Sequence, residues 1–278
     1  MNQRPSPWWL VCGDSIEGQR SMPLQKTPGV VIGRRVLGES DCLVTFYTRE
    51  FGKVRGVAKS ARRLRSRFGS ALELFTQGQL IFFETERTGL VQVDHFDILR
   101  SFVGVREDLD RLGQGAWVVE CVDRLCAERD PHGALYGLLI RALRALEAAA
   151  RPSWIAFCFA LRAVDLLGHR LRLDRCVGCG RSLAGYARLD FSAGGLLCGT
   201  CAPTGRDGID LSVGALRGLR WLRTLSWDEA IDSRIPPSLE DEMIGALEAQ
   251  IARLMGQLPR SARFRIQTKR LLARGGTQ

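Results

Sequence analysis

The sequence lacks the long hydrophobic runs and the short motifs that mark membrane proteins and many enzymes. No apolar run approaches the roughly 20 residues that a membrane-spanning helix requires. The phosphate-binding pattern G-x-x-x-x-G-K-S/T is absent, because Gly52-Lys53 is followed by Val54. The dinucleotide pattern G-x-G-x-x-G and the hydrolase pattern G-x-S-x-G are absent as well. These absences argue against a membrane protein, a P-loop NTPase, a dinucleotide-dependent enzyme and a serine hydrolase.

Histidine is scarce, with His95, His132 and His169 dispersed along the chain. A zinc deaminase would need an H-x-E motif, and the sequence has none. His169 lies close to Cys176, and we interpret it as a helix-end residue rather than as a spare metal ligand. Because no motif assembles a nucleophile, a base and an orienting partner, the sequence favours a binding protein over an enzyme.

Negative charge is in deficit. Forty lysines and arginines stand against thirty acidic residues, which gives a formal charge of +10 and a pI near 9.6. Such an excess favours an anionic partner, either nucleic acid or an acidic surface. The stretch Arg49 to Arg67 carries eight basic residues and one acid, Glu50. It is either a solvated loop or a phosphate-binding surface.

The cysteine count and the N-terminus both favour a cytoplasmic protein. Nine cysteines form an odd set, which argues against a disulfide framework. The segment PWWLVCG is too short and too interrupted for the core of a signal peptide. Residues 1–27 are interpreted as a flexible extension, and the sequence leaves open whether Met1 or Met22 is the start. Four cysteines among apolar neighbours are predicted core residues: Cys42, Cys121, Cys126 and Cys158.

Five short β-rich runs follow the extension. They read VVIGRRVL, CLVTFYT, KVRGVAK, QLIFFE and LVQVDHF, with turn signals between them. No helical pattern alternates with these runs, which favours a small barrel over a parallel sheet. Five strands match the OB-fold, and we predict this barrel over residues 28–100.

Beyond Ser101 the apolar spacing becomes helical. Ser238 with Asp241 three residues later predicts a capping box. Helices are predicted over Ala134–Ala149, Ser153–Gly168, Ser212–Leu225 and Ser238–Leu258.

The predicted fold class is therefore α+β: the barrel, then a helical domain that is interrupted by a cysteine-rich insert. The first helical part covers residues 101–173, the insert 174–204, and the second helical part 205–278. The second part ends in a basic C-terminus that is either a phosphate track or a solvated tail.

Four cysteines in the insert have the spacing of a metal site. Cys176, Cys179, Cys198 and Cys201 form C-x2-C-x18-C-x2-C, which two tight turns can bring to one zinc ion. Four protein ligands fill the coordination shell of zinc, whereas a catalytic zinc keeps a position for water. We therefore predict structural zinc. An iron–sulfur cluster and a redox-active cysteine pair are the less favoured alternatives.

The N-terminal motifs resemble a known family. The stretch GVVIGRRVLGESDCLVTFYTREFGKVRGVAKSARR is similar to the start of the bacterial RecO recombination mediators. The resemblance is carried by Gly38–Asp41, by Thr48–Lys53 and by Ala58-Lys59 with the arginine run that follows. SRFGSALELF, LDFSAGGLLC and the four-cysteine motif fit the same family. The similarity runs from Pro28 to Leu272, and the N-terminal extension is the departure from it.

The resemblance implies a non-enzymatic protein that binds single- and double-stranded DNA and anneals complementary strands. It also implies a RecR-like partner, the tail of single-stranded-DNA-binding protein as a second partner, and a role in loading recombinase. The location implied is cytoplasmic and nucleoid-associated, with no membrane contact. The predicted DNA contacts lie on the barrel and in the basic stretch: Arg34, Arg35, Lys53, Arg55, Lys59, Arg62, Arg63, Arg65 and Arg67.

Two rival functions remain beside this interpretation. One is a zinc-ribbon factor that binds RNA, which would discriminate through the 2′-hydroxyl. The other is a zinc or thiol enzyme, in which the cysteines would take part in turnover rather than hold the chain together.

Overall fold

The computed structural model describes most of the barrel, the helices and the insert. The described residues are 23–84, 89–183, 185–202, 208–257, 259 and 261. Residues 1–22 of the expected extension and all the basic residues beyond 258 lie outside them. Within the described residues, no helix combines the length and the apolarity that crossing a membrane requires.

The N-terminal region is a closed five-stranded barrel, which confirms the predicted OB-fold. Its order is β1-β2-β3-β5-β4; β3 and β5 pair in parallel, and β1 closes the barrel against β4. Along β2, side chains alternate between buried and half-buried, as expected for a strand with one face in a core. The strands are β1 (Leu24–Leu37), β2 (Asp41–Thr48), β3 (Gly52–Ala58), β4 (Gln77–Glu84) and β5 (Val91–Arg100).

The expected extension ends earlier than residue 27. Residues 24–27 are the first part of β1 and pair with residues 80–83 of β4, so the expectation of a loose segment is wrong for them. β1 continues through Pro28, and a register shift between Val31 and Gly33 interrupts its pairing with β2. A bulge of this kind bends a strand, which allows one long strand to pair with two neighbouring strands. The sequence did not predict a strand here because Pro28 has no backbone N–H to donate to a neighbouring strand, and proline therefore argues against a strand.

Helices and a small sheet follow the barrel. Among them α4 is the central helix: it packs against α2, α3, α6 and α7, and its side chains are buried on nearly every side. The elements are α1 (Val103–Arg106), α2 (Leu109–Leu125), α3 (Gly133–Leu146), α4 (Pro152–Leu166), β6 (Ala187–Asp190), β7 (Gly195–Cys198), β8 (Gly208–Leu211), α5 (Val213–Leu222), α6 (Trp227–Asp232) and α7 (Pro237–Leu254).

The capping box lies at a different helix from the one predicted. α7 begins at Pro237, so Ser238 is already inside its first turn and forms no side-chain cap. Instead, the Ser226 hydroxyl accepts from the Glu229 amide at the start of α6, and the Glu229 carboxylate accepts from the Ser226 amide at 2.7 Å. Proline at the first helical position needs no amide partner, which explains why α7 starts without a cap.

The barrel and the helices share one hydrophobic core. Val31 faces the barrel interior, whereas its neighbours Val30 and Ile32 belong to the same buried cluster as the helices. Tyr47 and Phe75 join that cluster from the barrel side. Because successive side chains of a strand point to opposite faces, β1 contributes to both cores at once.

Lys53 belongs to this junction and not to a DNA surface. Its side chain is only 6% exposed, its ammonium donates to the backbone oxygen of Asp123, and the Asp123 carboxylate lies 3.5 Å away. Its own carbonyl accepts from the Arg129 amide at 3.0 Å. A charge buried this deeply is tolerated only when it is paired and hydrogen-bonded. The prediction that Lys53 contacts DNA is therefore wrong.

Gly52 and Gly38 offer a matched test of the junction, since both have φ of +61°. A methyl group on Gly52 would lie 2.2 Å from the backbone oxygen of Asp130, whereas nothing lies within 4 Å of one on Gly38. We expect Gly38→Ala to lower the free energy of unfolding by about 1 kcal/mol through left-handed strain alone. Gly52→Ala should cost about 1–3 kcal/mol more because of the backbone clash. Urea unfolding followed by circular dichroism measures both, and equal losses would show that the close approach contributes nothing.

Candidate metal centre and nucleic-acid interface

Two short turns bring the four insert cysteines together. Cys176 and Cys179 lie in a turn closed by a hydrogen bond from the Gly180 amide to the Cys176 carbonyl at 2.8 Å, with Gly180 at φ +74°. Cys198 ends β7, and the Cys201 amide donates to its carbonyl at 2.9 Å. The Val177 amide bonds the Leu196 carbonyl at 2.9 Å and so ties the two turns together.

The sulfur positions fit one tetrahedral ion. All four Sγ atoms lie within 4.8 Å of one another, and those of Cys179 and Cys198 are 3.7 Å apart. A tetrahedron with metal–sulfur bonds of about 2.3 Å has an edge of about 3.8 Å. The four cysteines therefore lie close enough to bind a single metal ion, as the sequence predicted.

Hydrogen bonds shift the pKa values of Cys198 and Cys201 in opposite directions. The Thr200 hydroxyl, 3.0 Å from the Cys198 sulfur, lowers the pKa of Cys198 to about 6. Hydrogen bonding to the neighbouring sulfurs, Cys198 first, raises the pKa of Cys201 to about 12. Four thiolates in one place would repel one another, and a bound cation would neutralise that repulsion. Thr200 was missed in the sequence, where its place in C-G-T-C marked it as a neighbour of sulfur.

His169 takes no part in this group. The cluster that could hold a metal consists of the four cysteines alone among the described residues. The His169 amide donates to the Val164 carbonyl at 2.8 Å, and Gly168 adopts φ +81°. This is a left-handed helix terminus, so the interpretation of His169 as a helix-end residue is confirmed. The four cysteines predicted in the core are buried as well.

The second half of the basic stretch, from Lys59 to Arg67, lies on a loop that is anchored to the barrel. Between β3 and β4 the chain makes a series of turns, and Phe68, Leu72 and Phe75 are buried beneath it. The Ser60 amide donates to the Asp41 carboxylate at 2.8 Å, which holds the pKa of Asp41 below its usual value. Such anchors give the loop a defined path although it has no regular structure.

The turn between β1 and β2 is fastened to the same loop by Arg62. Its backbone amide donates to the Ser40 carbonyl, and its guanidinium donates to the Glu39 carbonyl, each at 2.9 Å. Arg62 was predicted to contact DNA, and its exposed guanidinium also has this local structural role.

The other predicted DNA contacts divide into paired and unpaired groups. Arg34 bonds Glu73 at 2.6 Å, Arg55 bonds Glu128 at 3.0 Å, and Arg67 lies 3.5 Å from Asp94. Four further exposed cations form no salt bridge or side-chain hydrogen bond with any described residue. We call this group the loop cations: Lys59, Arg63 and Arg65 on the loop, together with Arg35 on β1.

Aromatic side chains near the basic stretch offer little surface for stacking. Phe46 and Tyr47 are fully buried, and Phe68 is 4% exposed. Phe51 is half-buried and packs edge-on against Phe82, with ring centroids 5.4 Å apart. The loop surface can therefore attract phosphates through charge, but these rings cannot stack on bases.

The sulfur cluster can be tested by replacing one ligand. Cys198→Ser should remove most of the bound metal, because an alcohol is a far weaker ligand than a thiolate. Cys126→Ala is the matched control, since Cys126 is buried beside Tyr47 and outside the cluster. Atomic absorption of purified protein should find about one ion per chain in the control and close to none in Cys198→Ser. Full metal content in Cys198→Ser would contradict the assignment.

Comparison with known proteins matches most of the chain to one family. Residues 22–102 match the family model for Recombination protein O N terminal, and residues 106–263 match that for Recombination protein O C terminal. A DNA repair protein RecO of Anaeromyxobacter sp. (strain Fw109-5) is 36% identical over 245 residues, or 86% of this chain and 94% of the relative. One from Roseiflexus sp. (strain RS-1) is 32% identical over 252 residues, covering 89% and 87%. The chain therefore belongs to the RecO family of DNA repair proteins.

Proposed function

We propose that this protein binds DNA and anneals complementary strands without nucleotide hydrolysis, as a mediator of recombinational repair. The observation that carries the proposal is the group of loop cations. These are four exposed charges that form no salt bridge or side-chain hydrogen bond with any described residue: Lys59, Arg63 and Arg65 on the anchored loop, and Arg35 on β1. An unpaired cation gives up no salt bridge when it meets a phosphate. Arg34, Arg55 and Arg67 would first have to leave their carboxylates.

The physical basis of annealing is charge neutralisation. Two DNA strands repel each other through their phosphates, and a cationic surface that holds both lowers the barrier to pairing. Binding of this kind releases counterions and must weaken as salt rises. It needs no catalytic group, which agrees with a non-enzymatic role for a chain without a recognisable catalytic motif.

The metal that suits the four cysteines best is zinc, held as a structural ion. Four thiolates are soft ligands in a tetrahedral arrangement, the set that zinc takes in structural sites. With its four positions filled by sulfur, the ion has no place for a water nucleophile. The insert would then owe part of its folding free energy to the metal.

Partners are proposed on family grounds and on one surface feature. A RecR-like protein and the tail of single-stranded-DNA-binding protein are the partners, in a cytoplasmic, nucleoid-associated setting. A cavity of about 390 Å³ between α3 and α4 has largely apolar walls, two arginines, Arg141 and Arg162, and one acid, Asp165. Such a mixture suits a short tail that carries both apolar side chains and carboxylates.

The loop cations make a quantitative prediction about salt. Arg63→Ala with Arg65→Ala should weaken single-stranded DNA binding and lower the slope of log affinity against log salt by about 1.4, since each lost phosphate contact contributes about 0.7. Arg144→Ala with Arg253→Ala is the matched control, because it removes two exposed arginines from α3 and α7. Fluorescence anisotropy over a range of salt concentrations measures the slopes, and an unchanged slope in the loop variant would move the DNA site elsewhere.

Annealing itself is tested with complementary DNA strands and no nucleotide. We expect the protein to accelerate pairing at low salt and to lose this effect as salt rises, because screening removes the attraction. The measurement is fluorescence quenching between labelled strands, with and without a RecR-like partner. Matched RNA strands provide the discriminating comparison: tighter binding of RNA than of DNA would favour the RNA-binding alternative instead.

A further inference from the structure

A cationic cleft lies between the cysteine insert and α5, far along the chain from the loop cations. The cleft has a volume of about 780 Å³, and its lining includes five arginines and one acid, Asp174. The arginines are Arg170, Arg172, Arg175, Arg220 and Arg223. Low-dielectric walls lined by charge of one sign concentrate the electric field in the space between them. An anionic ligand is therefore the chemistry that this cleft fits.

Two of the arginines build the cleft wall. The Arg223 guanidinium donates to the Leu171 carbonyl at 2.8 Å and to the Asp165 carboxylate at 2.8 Å. The Arg220 Nε donates to the Leu173 carbonyl at 3.0 Å. These bonds hold the segment from Leu171 to Leu173 against α5, so the cleft keeps its shape without a ligand.

The segment itself turns its charges towards solvent. Leu171 and Leu173 are buried, whereas Arg172 between them is exposed, which is the two-residue alternation of extended chain. Arg175 is exposed too, and neither Arg172 nor Arg175 has a salt bridge or side-chain hydrogen bond within the described part of the chain. Asp174 is 88% exposed and lies 3.8 Å from Arg220. The charges of Arg172 and Arg175 are therefore available for a ligand.

An exposed tryptophan, Trp221, directly follows the cleft residue Arg220 on α5, although it lies outside the lining of the cleft itself. Trp221 is 47% exposed, whereas Trp117, Trp154 and Trp227 are buried. Arg217, one helical turn earlier, is exposed as well. A large aromatic surface left in water beside several cations is the combination with which proteins bind single-stranded nucleic acid, through base stacking and phosphate contacts. Among the described residues, the aromatic rings near the loop cations are buried or half-buried.

We propose that this cleft is a second binding site for single-stranded DNA, with Arg172 and Arg175 on the phosphates and Trp221 stacked on a base. The inference rests on the proposed annealing function and deepens it. Annealing requires two strands to be held at once; the loop cations hold one strand and the cleft holds the other. A site with stacking favours unpaired bases over duplex, so the cleft releases its strand once pairing has occurred.

The first test counts strands. A single-stranded oligonucleotide of about eight nucleotides should bind at about two per chain, and at about one per chain after Arg172→Ala with Arg175→Ala. Because neither side chain bonds another described residue, the double variant should fold and keep its metal content, which atomic absorption verifies. Arg144→Ala with Arg253→Ala, which makes the same change of charge, should keep both strands. We call the protein with Arg172→Ala and Arg175→Ala the cleft variant. If it still bound two strands, the proposal would be overturned.

The second test measures annealing and separates this proposal from the proposed function. The cleft variant should anneal complementary strands about tenfold more slowly than the control variant at low salt. If the cleft variant anneals like the control while Arg63→Ala with Arg65→Ala does not, the cleft proposal fails and the proposed function stands. If only the cleft variant is impaired, the cleft stands and the loop assignment fails.

The third test concerns Trp221 and the class of ligand. Binding of the oligonucleotide should quench intrinsic tryptophan fluorescence in the unaltered protein and much less in Trp221→Phe. Equal quenching in the two proteins would contradict stacking on Trp221. Poly-glutamate at the same concentration of charge should displace little oligonucleotide from the cleft; complete displacement would assign the cleft to an acidic peptide and overturn the proposal.

Discussion

The common core of barrel and helices is the constraint on which the rest of the structure depends. Tyr47 and Phe75 enter the helical cluster from the barrel, and the buried ammonium of Lys53 bonds the Asp123 carbonyl at the end of α2. Burying a lysine is costly unless its partners are in place, so the pairing selects one arrangement of the two regions. A surface on the barrel and a surface on the helical half are thereby held in fixed positions relative to each other. Two DNA strands bound to these surfaces would also have fixed relative positions.

The cysteine cluster extends this order to the insert. Leu189 and Leu196 from the small sheet belong to the same buried cluster as the helices, so the insert is packed rather than merely appended. A metal ion held by its four sulfur atoms would cross-link the two turns, and Cys176 also lines the cationic cleft. A bound ion would therefore stabilise one wall of the cleft, which connects a structural metal to nucleic-acid binding without giving it a chemical step.

Charge pairing decides which basic residues are available to a partner. Arg34, Arg55 and Arg67 are exposed but form salt bridges with carboxylates, whereas Arg63 and Arg65 form none with the described residues. Exposed ion pairs contribute only about 0–1 kcal/mol, so the paired arginines could still exchange partners, at a cost that the unpaired ones avoid. The net charge of +10 says little by itself, because a basic protein can have many arginines and few unpaired ones.

By itself the sequence determined the barrel, the central burial of α4 and the four-cysteine cluster, because each depends on local spacing: alternation, helical period and C-x-x-C turns. It placed the first strand at Val30, past Pro28, although residues from Leu24 onward pair with the distant strand β4. It also predicted a capping box at Ser238, whereas α7 already begins at Pro237. Only the tertiary structure decided that Lys53 is buried, because its partner Asp123 lies seventy residues away. The same holds for the cleft, whose arginines come from two separate segments. Burial and charge pairing are properties of neighbours in space, which the order of residues along the chain does not contain.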